Sequence, residues 1–254
     1  MRLLPASLAA GIALAFVAAP ADAQHRLRQL AEQRREAKAV TALPAGTRIE
    51  RDIAYGSDPL QRYDVYLPRS SRPDAPILLM VHGGGWRRGD KASPGVVGNK
   101  AAYWLAKGYV FVSANNRLVP AADPLQQARD VAAAVASVQA RAPHWGADPQ
   151  RMVLMGHSAG AHLVALLGSA PSILADAGAM RPLGVVALDS AAMNVPAMME
   201  HPVLPGIYDA AFGSDRGFWT AASPFHRLDR NGLPMLIACS SQRRDSCPQG
   251  KALA

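Results

Sequence analysis

The segment Arg151-Met152-Val153-Leu154-Met155-Gly156-His157-Ser158-Ala159-Gly160 decides how this chain folds. Five mostly apolar residues suit a strand buried on both faces. The residues after Gly160, rich in Ala and Leu up to Ser169, suit a helix. A strand that turns straight into a helix forces its corner residue into a strained conformation. Here Ser158 is that corner, with glycines on either side where a side chain would collide with the neighbouring element. The corner lifts the Ser158 hydroxyl above the sheet and sets it at a helix N-terminus, where the dipole favours negative charge.

Upstream, the apolar run Ile77 to Val81 ends in His82-Gly83-Gly84-Gly85-Trp86. Three successive glycines leave backbone N–H groups bare, and such donors can hold a developing oxyanion. Together the two stretches read as the halves of an acyl-transfer site. Ser158 is the candidate nucleophile, and the amides of Gly84, Gly85 and Ala159 are the candidate donors. A glycine loop can also cradle phosphate, but no Lys-Ser/Thr follows at the required spacing and no acidic residue closes a dinucleotide fingerprint. His82 reads as a structural residue bonding to loop backbone. His157 and His162, at the start of the nucleophile's helix, read as packing or capping residues.

Working outward, Arg48–Tyr55 and Gln61–Leu67 alternate apolar and polar residues around the turn Gly56-Ser57-Asp58-Pro59. They predict an antiparallel hairpin with one face covered. Buried strands then alternate with helices: Lys100–Lys107 helical, Tyr109–Ala114 a strand, Pro124–Gln139 helical, Leu183–Leu188 and Pro234–Cys239 strands. This rhythm implies an α/β fold, a doubly wound and mostly parallel sheet, whose ligands bind at the carboxyl ends of the strands. Residues 193–230 break the rhythm with four prolines and five aromatics, which suits either a cap over the site or ordinary surface helices.

The 254 residues carry one composition regime and suit one domain, residues 45–254. Residues 1–23 resemble a cleaved export signal: Arg2, an apolar run from Leu3 to Ala19, and Ala21-Asp22-Ala23. Pro5, Gly11 and Pro20 interrupt the run, and it is short for a bilayer span. An exported protein, periplasmic or secreted, with no stable membrane insertion after cleavage is expected. The net charge is +8, and the leader 24–44 contributes to it with Arg26, Arg28, Arg34, Arg35 and Lys38. That segment reads as a solvated arm; no aromatic interleaving or motif points to nucleic acid. Cys239 and Cys247, eight positions apart, either close a small loop in an oxidising compartment or stay as two thiols; spacing does not decide.

The chain resembles the α/β-hydrolase superfamily, in its bacterial carboxylesterase and lipase branch (hormone-sensitive-lipase and feruloyl-esterase-like, with an HGGGW oxyanion loop). Asp64-Val65-Tyr66-Leu67-Pro68, His82 to Trp86, Gly89-Asp90-Lys91, Asn116-Arg117-Leu118 and Gly156 to Gly160 carry the likeness. It implies hydrolysis of small-molecule carboxylic esters through an acyl-enzyme on Ser158, with no metal or organic cofactor. It also implies an acid after the strand Pro234–Cys239. Asp245 stands there, with pairing to Arg243 or Arg244 as its other reading and Asp189 as the alternative acid. The family's general base is a histidine after a further helix and strand, and no histidine follows His226. The expected fold therefore lacks the last helix and strand. A fragment of a longer enzyme, a shortened inactive remnant, or recruitment of His201 or His226 to Asp189 would each account for this. A non-catalytic binding protein and a peptidase on the same fold are the competing functions, and oligomeric state is left open.

Overall fold

The computed structural model describes residues 43–69, 73–241 and 245–254. The export signal, nearly all of the charged leader, and Arg243 and Arg244 lie outside the described residues.

Seven strands form one sheet in the order β1-β2-β4-β3-β5-β6-β7. These are β1 (Arg48–Ala54), β2 (Arg62–Leu67), β3 (Ala75–Val81), β4 (Val110–Ala114), β5 (Ala147–His157), β6 (Gly184–Leu188) and β7 (Met235–Ala238). The pairs β1/β2 and β2/β4 are antiparallel, and every other pair is parallel. The α/β reading with an N-terminal antiparallel hairpin is thus the observed architecture. The hairpin's strands differ from expectation: β2 is buried almost throughout, because β4 pairs on its far side and both of its faces are covered, while β1 forms the exposed edge.

The pleat sorts side chains into two cores. Ile77, Leu79 and Val81 of β3 enter the larger one, and Leu78 and Met80 enter the other. Helix α1 (Pro94–Ala106) covers the smaller core with Val96, Val97, Ala101 and Leu105. It begins six residues before the expected Lys100, and a kink at Gly98 separates that first part from the rest of the helix. Helix α2 (Pro124–Arg141) packs on the larger core and starts with a reciprocal capping box, Asp123 with Gln126. Helix α3 (Ala159–Ser169) is buried along its whole length, and α4 (Ser172–Asp176) follows it.

Residues 193–230 hold four short helices: α5 (Val195–Met199), α6 (Gly206–Phe212), α7 (Arg216–Ala221) and α8 (Pro224–Arg227). The last helix, α9 (Ser246–Leu253), follows β7, to which the disulfide Cys239–Cys247 ties it. Among the described residues no helix is long and apolar enough to cross a membrane.

Candidate active site

Ser158 links β5 to α3 with φ 54° and ψ −116°, a backbone conformation that non-glycine residues adopt only under strain. Its amide donates to the Leu188 carbonyl at 2.8 Å, and its carbonyl accepts from His162 N at 3.1 Å. These two bonds fix the corner between β6 and the first turn of α3. The side chain is half-buried. Gly160 explains how the corner reaches the glycine loop. A Cβ there would lie 2.4 Å from the carbonyl oxygens of both Val81 and His82, so only glycine lets α3 begin against the end of β3.

The glycine loop is wound tightly by Arg87 N and Arg88 N, which both donate to Gly84 O (3.3 and 3.2 Å). Gly84 has φ 131°, out of reach of an ordinary side chain, and a Cβ on it would sit 2.0 Å from Arg88 O. Trp86 is held by its carbonyl, which accepts from Val119 N (2.9 Å) and Gln127 Nε2 (3.0 Å). Its indole Nε1 donates to His162 Nδ1 at 3.2 Å, and His162 Nε2 in turn donates to Ala222 O at 2.7 Å. One fully buried ring therefore joins the loop, the helix α3 that follows Ser158, and the end of α7 at Ala222. Burial lowers the His162 pKa to about 4, so the ring is neutral and suited to this donor-acceptor relay. His82 Nδ1 bonds Gly83 O at 2.8 Å, and burial lowers that ring's pKa too.

The loop's far end is anchored by charge. Lys91 Nζ lies 2.7 Å from both Asp52 and Asp64, and Arg51 adds a contact of 3.3 Å to the fully buried Asp64. Burial opposes the Lys91 charge, but its bonds to Asp52 and Asp64 prevail and hold its pKa above the usual lysine value. The next loop is pinned likewise, by Arg117 Nε and a terminal nitrogen on Asp130 at 2.9 and 2.7 Å. The segments that carry the family likeness are thus one another's counter-ions and braces.

Ser158, Gly83 and Gly84 line one cleft of about 620 Å³. Gly83, which is not among the candidate donors named from the sequence, stands next to Ser158: a Cβ on it would lie 3.1 Å from Ser158 Cβ. Three identical glycines offer no sequence signal to tell them apart. Gly85 faces Ile207 of α6 instead. Ala159 is buried and shares a narrow crevice with Gly83 and Trp86. Among the described residues, no protein oxygen accepts from the amides of Gly84, Gly85 or Ala159. Tyr208 and Phe212 of α6 pack their rings on Trp86, with centroids 5.9 and 4.9 Å away.

Asp245 is placed elsewhere, exposed at the head of α9 and lining a separate cavity of about 640 Å³ with Tyr208 and His201. Asp189 ends β6 with φ 59°, and its carboxylate accepts from Ser240 N at 2.8 Å. His201 bonds the backbone of Val203, and His226 bonds Ser223 Oγ at 2.9 Å.

Residues 63–177 match the BD-FAE family model. Kynurenine formamidase of Danio rerio is 35% identical over 135 residues, half of this chain and 44% of that protein. Esterase LipC of Mycobacterium tuberculosis is 36% identical over 120 residues, covering 46% and 29% of the two chains. Isoprenylcysteine alpha-carbonyl methylesterase of Arabidopsis thaliana is 32% identical over 117 residues, covering 46% and 27%. The match thus spans less than half the length of each of these relatives. Among solved structures, esterase B of Lactobacillus rhamnosis superposes with a TM-score of 0.69 at 23% identity, over 92% of this chain and 78% of that one. A truncated carbohydrate esterase from gut microbiota gives 0.69 at 19% identity, over 84% and 85%. At such identities the structures speak for the fold. The chain has the α/β-hydrolase fold, and over residues 63–177 it is similar to the BD-FAE family.

Proposed function

We propose that this protein is an exported serine hydrolase of small carboxylic esters. The observation that carries the reading is the strained Ser158 corner, opening on the same cleft as Gly83 and Gly84. In the proposed reaction Ser158 Oγ attacks the ester carbonyl, and the amides of Gly84, Gly85 and Ala159 receive the oxyanion. One such donor is worth about 3 to 4 kcal/mol in the transition state. Gly83, adjacent to Ser158, joins them as a candidate donor. Collapse of the intermediate expels the alcohol and leaves an acyl-enzyme that water hydrolyses. Asp245 is the carboxylate proposed to orient a histidine base. The closed Cys239–Cys247 bridge supports an oxidising, extracytoplasmic setting.

The proton acceptor is the open position. Four histidines are engaged elsewhere and are not assigned to it: His162 is bonded through both ring nitrogens, His82 holds Gly83, and His201 and His226 are bonded within 193–230. An oxyanion hole and binding without a complete triad leave about 10³ to 10⁴-fold acceleration over water. That is the turnover expected of these residues by themselves. The placing of Asp245 in a cavity other than the Ser158 cleft also favours a second reading, a catalytically silent binding module. Turnover of 4-nitrophenyl butyrate and mass-spectrometric detection of a fluorophosphonate adduct separate the two. A slow activity lost in Ser158→Ala, with an adduct on Ser158, is the hydrolase outcome. Identical background rates for parent and Ser158→Ala, with no adduct, sink it.

A further inference from the structure

The cleft that Ser158 lines also holds two cations, Arg88 and Lys100, and they are unlike Lys91 and Arg117 nearby. Lys91 is neutralised by Asp52 and Asp64, and Arg117 by Asp130. Arg88 and Lys100 both line the cleft, and among the described residues neither is paired with a carboxylate. Lys100 Nζ donates instead to the Gly95 carbonyl at 2.5 Å, and Arg88 extends from the exposed turn after Trp86. The one carboxylate lining the cleft, Asp90, is engaged by its own loop and by the residue after β4: Ala92 N and Asn115 Nδ2 donate to its two oxygens at 2.7 and 2.9 Å. Two cations without a carboxylate partner therefore share with Ser158 a cleft that holds one committed anion.

Half-burial sharpens the point for Lys100. Desolvation lowers its pKa, so its charge is maintained against a cost that an incoming anion would relieve. The Arg88 guanidinium offers the planar fork that matches a carboxylate.

We infer that the Ser158 cleft takes esters bearing a second, negatively charged group, such as the half-ester of a dicarboxylic acid, and that Arg88 and Lys100 bind that carboxylate. The inference rests on the hydrolase reading in taking this cleft as the substrate's, and it adds the substrate class. Arg88 and Lys100 are specificity residues in it; the bond-making atoms remain those of Ser158 and the ester.

The test is a calorimetric titration of the Ser158→Ala chain with monomethyl succinate and with dimethyl succinate, which share a skeleton and differ by one methyl group and one charge. The monoester is expected to bind about five- to tenfold more tightly at low salt, as a partly desolvated, bidentate charge pair would give. The preference should shrink in high salt. It should fall to about twofold or less in Arg88→Gln/Lys100→Met, with Arg88→Gln alone giving an intermediate value, provided thermal melts show both variants folded. Equal affinities, a preference that survives the double substitution, or no binding of either ester would overturn the inference. The hydrolase reading fails separately, by an unmodified Ser158 in the fluorophosphonate experiment. Charge-dependent binding without an adduct would keep the anion site and remove the chemistry.

Discussion

Gly160 is where the two signature stretches touch, and a methyl group measures how tightly. Added at Gly160, it would drive into two backbone carbonyls that belong to different elements and have no rotamer to escape through. Gly160→Ala is expected to destabilise the fold by about 3 kcal/mol in urea unfolding. Gly206→Ala, whose new Cβ meets nothing within 4 Å, should change stability by no more than about 0.5 kcal/mol. Equal midpoints for the two variants would mean that α3 does not press on the end of β3. His162 makes a second residue-scale prediction. Its folded pKa of about 4 lies below the ordinary value of 6.5, so the unfolded chain takes up the proton first. The stability it supports is fully present above pH 6.5 and is lost as pH falls toward 4. A single proton over that window amounts to about 3 kcal/mol. His82, also lowered by burial, adds to the same slope. His162→Gln should flatten the acid limb of a plot of urea midpoint against pH while lowering the midpoint at neutral pH. An unchanged slope would show that His162 does not titrate with unfolding.

At the scale of elements, the glycine loop owes its position to the ion cluster behind it. Lys91 brings the loop's tail to Asp64 on β2 and Asp52 on β1, so Lys91→Met leaves Asp64 buried with only Arg51 as a cationic partner. A loss of about 3 kcal/mol is expected at neutral pH. The signs at the extremes differ. The raised Lys91 pKa means that its contribution persists below 10.5 and disappears as pH climbs through the folded value. The lowered Asp52 pKa means that its contribution is present above 3.8 and disappears in acid. Lys91→Met should therefore lose the alkaline decline seen in the parent; a decline of equal size in both would assign it to other groups. The sequence displays Asp64 and Lys91 as parts of two separate motifs, and nothing in either shows that they meet. What it displays well is the order of elements, because β3, β4 and the Met152–Met155 half of β5 are largely apolar runs and the Ser158 corner sits between one of them and an Ala/Leu helix. Where polar or flexible residues begin an element, legibility fails: α1 starts among glycines, β5 starts at Ala147 before a proline, and the helices of 193–230 are too short for periodicity to show. For the site, the strained Ser158 corner and the glycine loop beside it could be read. Which glycine lies nearest Ser158 depends on the path of the fold, and so does the separation of Asp245 into another cavity.

At the scale of the whole molecule, stability is graded across the sheet. Strands β3 and β5 lie at its centre, buried and flanked by both cores. Strand β7 lies at the edge, four residues long, and among the described residues it pairs with β6 alone; Leu236 on it is 64% exposed. Few contacts oppose the opening of such a strand. The bridge from Cys239, just after β7, to Cys247 in α9 is the covalent brace of this flank. It closes the short loop that carries Asp245. Closing a loop of that length is worth about 2.5 kcal/mol on chain-entropy grounds. That gain falls on the flank's own opening if β7 and α9 separate without unfolding the centre. Native-state hydrogen exchange before and after reduction distinguishes the cases. Reduction, or Cys239→Ser/Cys247→Ser, should raise exchange at Met235–Ala238 and in α9 by about tenfold or more and leave the β3 and β5 amides unchanged. If every amide accelerates by one common factor, the flank opens only when the whole molecule unfolds, and the bridge stabilises the fold globally rather than fixing the place of Asp245.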